Sequence, residues 1–257
     1  MRAFAVFTRK ELLESLRTYR FVILLTVFAI IGIMNPMLAL MLPSILGSID
    51  LGGGVTLELP DPTAMDSWTQ FFGNVSQLGV WALIIIFCGI MANEFSRGTL
   101  VNLLAKGLSR SAVIFSKFTA AALIWTLAYL LCLGITTAYT AYFWELALPL
   151  QEAIFAFLGP WLFGLLLIAL LLFGGTLFGS FYGSLALTIG AMIASALLNS
   201  LFPSFRLYNP MALSSATSAL LEGTQVPADF IPVFIVCVIA MFALVILSVL
   251  VFKRKRV

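Results

Sequence analysis

Six runs of about 20 apolar residues divide this chain, and they constrain its fold more than any other feature. A run of that length crosses the hydrocarbon core of a bilayer as one helix, because every backbone polar group must be bonded within the protein there. The chain is 62% hydrophobic and 10% charged, whereas soluble domains carry about 25% charged residues. We predict an all-α, polytopic membrane protein with one transmembrane domain, residues 1–257. The six predicted spans are 21–42, 71–91, 118–140, 153–173, 180–201 and 230–252.

Lysine and arginine residues predict the orientation of the spans. They collect before the first span, after the second and behind the sixth, while the alternate connections carry acidic residues. Because basic segments stay in the cytoplasm, an even number of spans places both termini there, in the cell membrane. The basic excess serves topology and contact with anionic headgroups, so we expect membrane lipid as a partner and no nucleic acid.

Two further segments are predicted to be short membrane-associated helices. Residues 1–20 mix apolar side chains with five basic ones, a pattern typical of a helix in the cytoplasmic interface. Between the fifth and sixth spans, Asn209 and Pro210 predict the start of an amphipathic helix and Gly223 its end. We expect this second helix to lie on the outer surface or to re-enter the membrane.

A polar segment, 93–117, separates the second and third spans. Gly98 is a helix breaker, Thr99 is a suitable N-cap, and Gly107 follows the last predicted turn. We predict a cytoplasmic helix of about two turns at 99–106. The residues of its apolar face are Leu100, Leu103 and Leu104. The basic residues around it are Arg97, Lys106, Arg110 and Lys117.

Two interpretations of this segment remain open at this point. An ordinary basic loop would satisfy topology, but topology requires neither caps nor an apolar face. A helix that contacts a protein at the membrane surface uses both. Glu94 is expected to pair with Arg97 or Arg110, or with a basic residue of that partner.

Glycines repeat every four residues where the fourth and fifth spans meet, at Gly175, Gly179 and Gly183. On one helix this spacing forms a smooth stripe that allows another helix to approach closely. Close packing, a tight turn and a gating hinge are the three roles that the spacing allows.

The sequence lacks the groups that most catalytic sites need. It contains no histidine, and none of the six predicted spans holds a Lys, Arg, Asp or Glu. We therefore predict no catalytic residue, no metal site and no cofactor bound by this chain, which disfavours an intramembrane enzyme. No phosphate-binding G-x-x-x-x-G-K-[ST] motif is present. The energy for any work done by the chain must therefore come from a partner.

The 93–117 segment resembles the cytoplasmic loop of the ABC-2 family of ATP-binding-cassette transporter permeases. The residues that carry the resemblance are Glu94, Gly98-Thr99-Leu100, Leu103-Leu104, Ser109-Arg110 and Lys117. The N-terminal segment with Arg9-Lys10-Glu11-Leu12, the six spans and the polar stretch before the sixth span are also similar to that family. The resemblance therefore covers nearly the whole chain.

Membership in this family would imply a permease half that works with a second half and with two separate cytoplasmic ATPase subunits. ATP and Mg²⁺ would be bound by those subunits, and the helix at Thr99 to Lys106 would couple them to the membrane domain. Glu94, Gly98, Ser109 and Arg110 complete the set of expected coupling residues. The resemblance implies export, and the charge-free spans favour a hydrophobic or amphipathic substrate such as a drug, a peptide or a lipid-like molecule. The alternative is the membrane module of a sensing or resistance complex that uses an ATPase without moving cargo.

Overall fold

The computed structural model describes residues 2–47, 60–98, 107–145, 150–215, 218–221 and 223–255, and every regular element in these ranges is helical. The α-helices are α1 (Arg2–Arg17), α2 (Arg20–Gly47), α3 (Ala64–Asn74), α4 (Val80–Phe87), α5 (Ala92–Arg97), α6 (Arg110–Phe143), α7 (Leu150–Phe178), α8 (Phe181–Leu201), α9 (Ala212–Ser215), α10 (Ser218–Leu221) and α11 (Pro227–Arg254). A π-helical turn, Val75–Gly79, joins α3 to α4, and a 3-10 helix, Pro203–Tyr208, follows α8.

Six helical stretches within the described residues are long and apolar enough to cross a membrane, which confirms the predicted all-helical class and the number of candidate spans. They are Arg20–Ile45, Ala64–Ser96, Arg110–Phe143, Glu152–Phe178, Phe181–Leu201 and Pro227–Arg254. The longest, α6, has 34 residues and is therefore about 50 Å long, whereas the hydrocarbon core is about 30 Å thick. Its ends must extend beyond that core.

The first span continues past a proline, a residue that kinks or ends most helices. Pro36 lies inside α2, which runs on to Gly47. A helical proline leaves the carbonyl four residues earlier without its usual backbone donor. Here Thr136 Oγ1 of α6 donates to that carbonyl, Gly32 O, at 3.1 Å. The neighbouring span thus replaces the lost hydrogen bond.

The same region holds a buried polar network between α2, α3 and α6. Asn35 Nδ2 donates to Thr136 Oγ1 at 3.0 Å, and Asn74 Nδ2 donates to Asn35 Oδ1 at 2.9 Å. Nearby, the hydroxyls of Ser67 and Thr140 lie 2.8 Å apart. Such bonds fix the register of neighbouring helices in an apolar environment, where an unpaired polar group is unfavourable.

Helix α7 forms the centre of the bundle and packs against α6, α8 and α11. Its Gly164 faces the Trp125 ring so closely that an added Cβ would overlap the indole. By contrast α8 is peripheral: 11% of its most apolar stretch is buried, against 67% for α7. The bundle therefore leaves one wide apolar surface on α8.

The repeated glycines lie on two helices and in the turn between them, so they form no continuous stripe. Gly175 lies near the end of α7, where an added Cβ would come within 3.1 Å of Met91 Cβ. Gly179 has a φ of +67° in the turn, a conformation that favours glycine. Gly183 lies in the first turn of α8, whose N-cap Ser180 accepts from its N–H at 3.1 Å. A tight helical hairpin results, and its use as a hinge stays a prediction.

The stretch before the sixth span folds into short helices packed on the bundle. Asn209 is fully buried, and its Oδ1 accepts from the Met211 N–H at 3.1 Å. Leu213 of α9 and Leu220 of α10 are also fully buried, and Gly223 has the left-handed backbone of a helix stop. Helix α9 begins two residues after the predicted Pro210. Re-entry into the membrane stays a prediction.

Candidate functional site

Capping residues mark where helix α5 ends and helix α6 begins, on the two sides of residues 99–106. Gly98 closes α5 with a φ of +63°, and its N–H bonds to Phe95 O. Gly107 also has a positive φ, +82°. Ser109 is the N-cap of α6, and its Oγ accepts from the Ala112 N–H at 3.2 Å. Residues 99–106, with the predicted contact residues Thr99, Leu100, Leu103, Leu104 and Lys106, lie outside the described residues.

A buried lysine joins three elements beside this segment. Lys117, on α6, is 2% exposed. Its Nζ donates to Glu11 Oε2 of α1 and to Glu94 Oε1 of α5, each at 2.9 Å. Both glutamates are themselves buried. The ammonium therefore connects the N-terminal helix, the end of the second span and the start of the third.

Lys10 extends this arrangement to the surface. Its Nζ lies 2.6 Å from Glu14 Oε2, 3.2 Å from Glu11 Oε1 and 3.7 Å from Glu94 Oε1. Burial alone would lower the pKa of Lys10, but the hydrogen bond to Glu14 and the charges of the three glutamates outweigh burial and raise it. We call Lys10, Glu11, Glu14, Glu94 and Lys117 the charge cluster.

The charge cluster is suited to holding elements in place. A buried ion is strongly unfavourable without a partner, so each member fixes the position of the others. One oxygen from each of Glu11, Glu14 and Glu94 lies within 4.8 Å of the other two, which is a spacing that a metal ion could use. Two lysine ammonium groups already lie against these carboxylates. We therefore assign no metal to the cluster.

The start of α6 is also bound to the end of α11. Arg110 Nη1 donates to the carbonyls of Phe252, Lys253 and Lys255, the last at 2.6 Å. The guanidinium also lies over the Phe252 ring, 5.3 Å from its centroid. The last carbonyls of a helix lack backbone partners and carry partial negative charge, so a guanidinium there caps the helix.

Lys255 makes a matching contact with α5 and α7. Its Nζ donates to the carbonyls of Thr176 and Leu177, at 2.9 and 3.3 Å, and lies 4.4 Å from the centroid of the Phe95 ring. Burial of this ammonium group lowers the pKa of Lys255. The chain on both sides of residues 99–106 is thus attached to the N-terminal helix and to the end of the last helix. One attachment is the contact of Lys117 with Glu11 of α1, and the other consists of the Arg110 and Lys255 contacts at the end of α11. We call these two attachments the loop frame.

The structure brings together only some of the predicted site residues. Glu94, Gly98, Ser109 and Arg110 border residues 99–106. Glu94 pairs with Lys117 and Lys10, and Arg110 binds the end of α11. The side chain of Arg97, another expected partner of Glu94, lies outside the described residues. Sequence reasoning missed the roles of Lys10, Glu11, Glu14 and Lys255. No local pattern reveals the buried partner of Glu11, because this residue directly follows Arg9 and Lys10 while its partner Lys117 lies on α6.

The chain is similar in sequence to a known membrane protein. No protein-family model matches the chain. Over 233 residues the chain is 24% identical to "Uncharacterized transmembrane protein YxlG" of Bacillus subtilis (strain 168), a match that covers 90% of this chain and 89% of that protein. The chain is a membrane protein with several spans. The word transmembrane in the name of the relative agrees with the six apolar helices of this chain, and that name states no activity.

Proposed function

We propose that this chain is the transmembrane permease subunit of an ABC transporter of the ABC-2 type. It works in the cell membrane with both termini in the cytoplasm, beside a second permease half that is another copy or a paralogue. Separate ATPase subunits bind ATP and Mg²⁺ and contact residues 99–106. The exported substrate is hydrophobic or amphipathic, because the membrane helices carry charged side chains only near their ends.

The loop frame is the observation that carries this proposal. A contact helix transmits force only if the chain on both sides of it is held by the parts that must move. Lys117 and Glu94 join it to α1 through Glu11, and Arg110 joins it to α11. A loop that served topology alone would need basic residues but no buried ion pairs.

Two further features support the proposal. The sequence has no phosphate-binding loop of its own, which fits a subunit driven by a separate ATPase. The weakly buried surface of α8 offers apolar area for a second permease half. N-terminal helix α1 lies against α6, where an interfacial helix would sit beside the cytoplasmic end of the third span.

Purification of the tagged full chain from its native membrane tests the proposal. We expect an ATPase of the ATP-binding-cassette class to copurify and the complex to hydrolyse ATP, while the chain expressed alone does not. Leu103→Asp places a charge in the expected contact, which costs on the order of several kcal/mol of association. Copurifying ATPase activity should then fall to background. Val226→Asp, at an exposed site before α11, is the control and should retain it.

ATP-driven uptake of a fluorescent amphiphile into inverted vesicles distinguishes the permease from a sensing or resistance module. A permease accumulates the probe, and Glu94→Gln lowers accumulation more than ATP hydrolysis because it weakens the attachment to α1. ATP hydrolysis without accumulation of any amphiphile would favour the sensing module. Wild-type ATPase binding by Leu103→Asp would contradict a coupling role for residues 99–106.

A further inference from the structure

A cleft of about 520 Å³ opens between α6 and α7, more than two turns beyond Lys117 along α6. Its volume falls within the range of about 300–1,000 Å³ that is usual for small-ligand sites. Both walls belong to candidate membrane spans. The cleft is therefore distant from the charge cluster and from the loop frame.

The polar side chains in the cleft use their hydrogen-bond donors within the protein. Thr126 Oγ1 donates to Ala122 O at 2.7 Å and accepts from Trp161 Nε1 at 3.0 Å. The hydroxyl of Tyr129 donates to Phe157 O at 2.7 Å. The walls offer a ligand apolar contact and no side-chain donor, so the cleft is suited to hydrocarbon.

Phe157 and Trp161 form the aromatic floor of the cleft, and both are fixed by contacts on the side away from the cleft. The Phe157 ring packs on three other rings, with centroid separations of 5.1 Å to Trp68, 5.7 Å to Phe71 and 5.4 Å to Phe72. Trp125 Nε1 donates to Trp161 O at 3.0 Å and thereby fixes a second part of the floor. A floor restrained in this way cannot collapse to fill the space. The site is preformed, which lowers the entropy lost on binding.

The mouth of the cleft opens on the surface that faces the bilayer, which indicates what kind of molecule binds there. Leu130 and Ile154 at the rim are half exposed on the outer surface of two membrane-spanning helices. The surrounding medium is bilayer hydrocarbon, and an unfilled cleft would forfeit dispersion contacts along all of its walls. A lipid acyl chain is the group that can enter sideways and restore those contacts.

Charge near the cleft bears on the lipid headgroup. From residue 118 to residue 205 the only charged side chains are Glu145 and Glu152, and both are acidic. Glu152 lies in the first turn of α7, directly before the lining residue Ala153. An amine headgroup is attracted to this end of the helix pair, whereas an anionic headgroup is repelled.

We propose that the cleft between α6 and α7 binds one acyl chain of a phospholipid with an amine headgroup and discriminates against anionic lipids. This site is independent of the proposed transport function, because it lies away from the loop frame. It would hold a structural lipid whether or not the chain works with an ATPase.

Photo-crosslinking in vesicles tests the site. The full chain is reconstituted in phosphatidylcholine vesicles with a trace of phosphatidylethanolamine that carries a photoactivatable acyl chain, and labelled residues are mapped by mass spectrometry. We expect Leu133 and Ile154 to be labelled well above Ile193, which is similarly exposed to Ile154 but lies on α8 outside the cleft. Equal labelling of all three residues would overturn the proposal, because it would indicate ordinary surface lipid only.

Filling the cleft provides a second criterion. Ala153→Trp should lower labelling of Leu133 to the level of Ile193, and Leu158→Trp at the more exposed rim should do the same with less risk to folding. The control Ile193→Trp should leave labelling of Leu133 unchanged. Unchanged labelling of Leu133 in both cleft variants would contradict the proposal.

A phosphatidylglycerol probe with the same chain tests the headgroup preference. It should label Leu133 about fivefold less than the amine lipid, the ratio expected from one unfavourable elementary charge near the surface. Glu152→Gln should reduce that difference, while Glu145→Gln, 12 residues beyond Leu133 along the chain, serves as the comparison. Equal labelling by both lipids in the wild type would overturn the headgroup part of the proposal.

Discussion

Lys117 joins three separate elements, α1, α5 and α6, within the charge cluster. Its carboxylate partners lie 106 and 23 residues away in sequence. The sequence singles out Glu94 and Lys117 as part of the loop pattern, but it pairs Glu94 with Arg97, Arg110 or a basic residue of a partner protein. Local spacing cannot reveal a partner on α1, since that contact exists only after α1 packs against α6.

Removing the Lys117 ammonium should destabilise the protein strongly. Lys117→Met leaves two buried carboxylates without their shared partner, a loss of about 3–5 kcal/mol for a broken buried ion pair. The midpoint of thermal unfolding in detergent micelles should fall clearly below that of the wild type. Lys253→Met, at an exposed position near the end of α11, is the control and should change stability by less than about 0.5 kcal/mol.

A combined variant separates the ion pair from simple loss of side-chain packing. Replacing Glu11 and Glu94 with Gln in the Lys117→Met background removes the two carboxylate charges that Lys117 balances in the wild type. Part of the lost stability should return, because neutral replacement of a whole buried ion cluster is better tolerated than removal of one member. A combined variant less stable than Lys117→Met would mean that charge compensation is not what Lys117 supplies.

At the scale of elements, hydropathy located the six membrane helices but not their full lengths. Hydropathy detects the part in contact with hydrocarbon, whereas α6 starts eight residues before its predicted span. Capping residues were more informative: Gly98, the predicted helix breaker, ends α5. Ser109 begins α6 as its N-cap, a signal that the sequence interpretation did not use. The continuation of α2 through Pro36 could not be predicted, because it depends on the Thr136 hydroxyl of another helix.

Arg110 should hold the last turn of α11 in place. Its guanidinium donates to three carbonyls at that helix end, and charge-assisted hydrogen bonds contribute about 1.5–3 kcal/mol each at most. Arg110→Met should therefore increase amide hydrogen exchange in residues 249–255 by about tenfold or more, equivalent to a local loss of roughly 1.4 kcal/mol. Exchange in the middle of α11 should not change.

The matched control for this measurement is Arg254→Met. Arg254 is an exposed basic residue of the same helix end, so its removal takes away a positive charge near the same carbonyls without removing the guanidinium of Arg110. We expect near wild-type exchange in that variant. Equal acceleration in both variants would show that general charge near the helix end, rather than the Arg110 contact, orders the last turn.

At the scale of the whole molecule, the loop frame and the basic residues share one end of the bundle. The charge cluster, Arg110 and the end of α11 all lie close to the two ends of residues 99–106 along the chain or in contact with those ends. The sequence predicted this concentration of basic residues at one membrane face, because topology and charge are linked along the chain. It could not predict that α1 contacts Lys117 and that the end of α11 contacts Arg110, since both contacts depend on helix packing.

Cysteine labelling in intact cells tests which membrane face this end occupies. Arg254→Cys and Glu145→Cys are introduced separately at exposed positions at opposite ends of membrane helices, after replacement of the buried native residues Cys88, Cys132 and Cys237. With basic segments in the cytoplasm, Glu145→Cys should react with a membrane-impermeant maleimide in intact cells. Arg254→Cys should react only after permeabilisation. The reverse pattern would place the loop frame outside the cell, where no cytoplasmic ATPase could reach residues 99–106, and would exclude the proposed coupling.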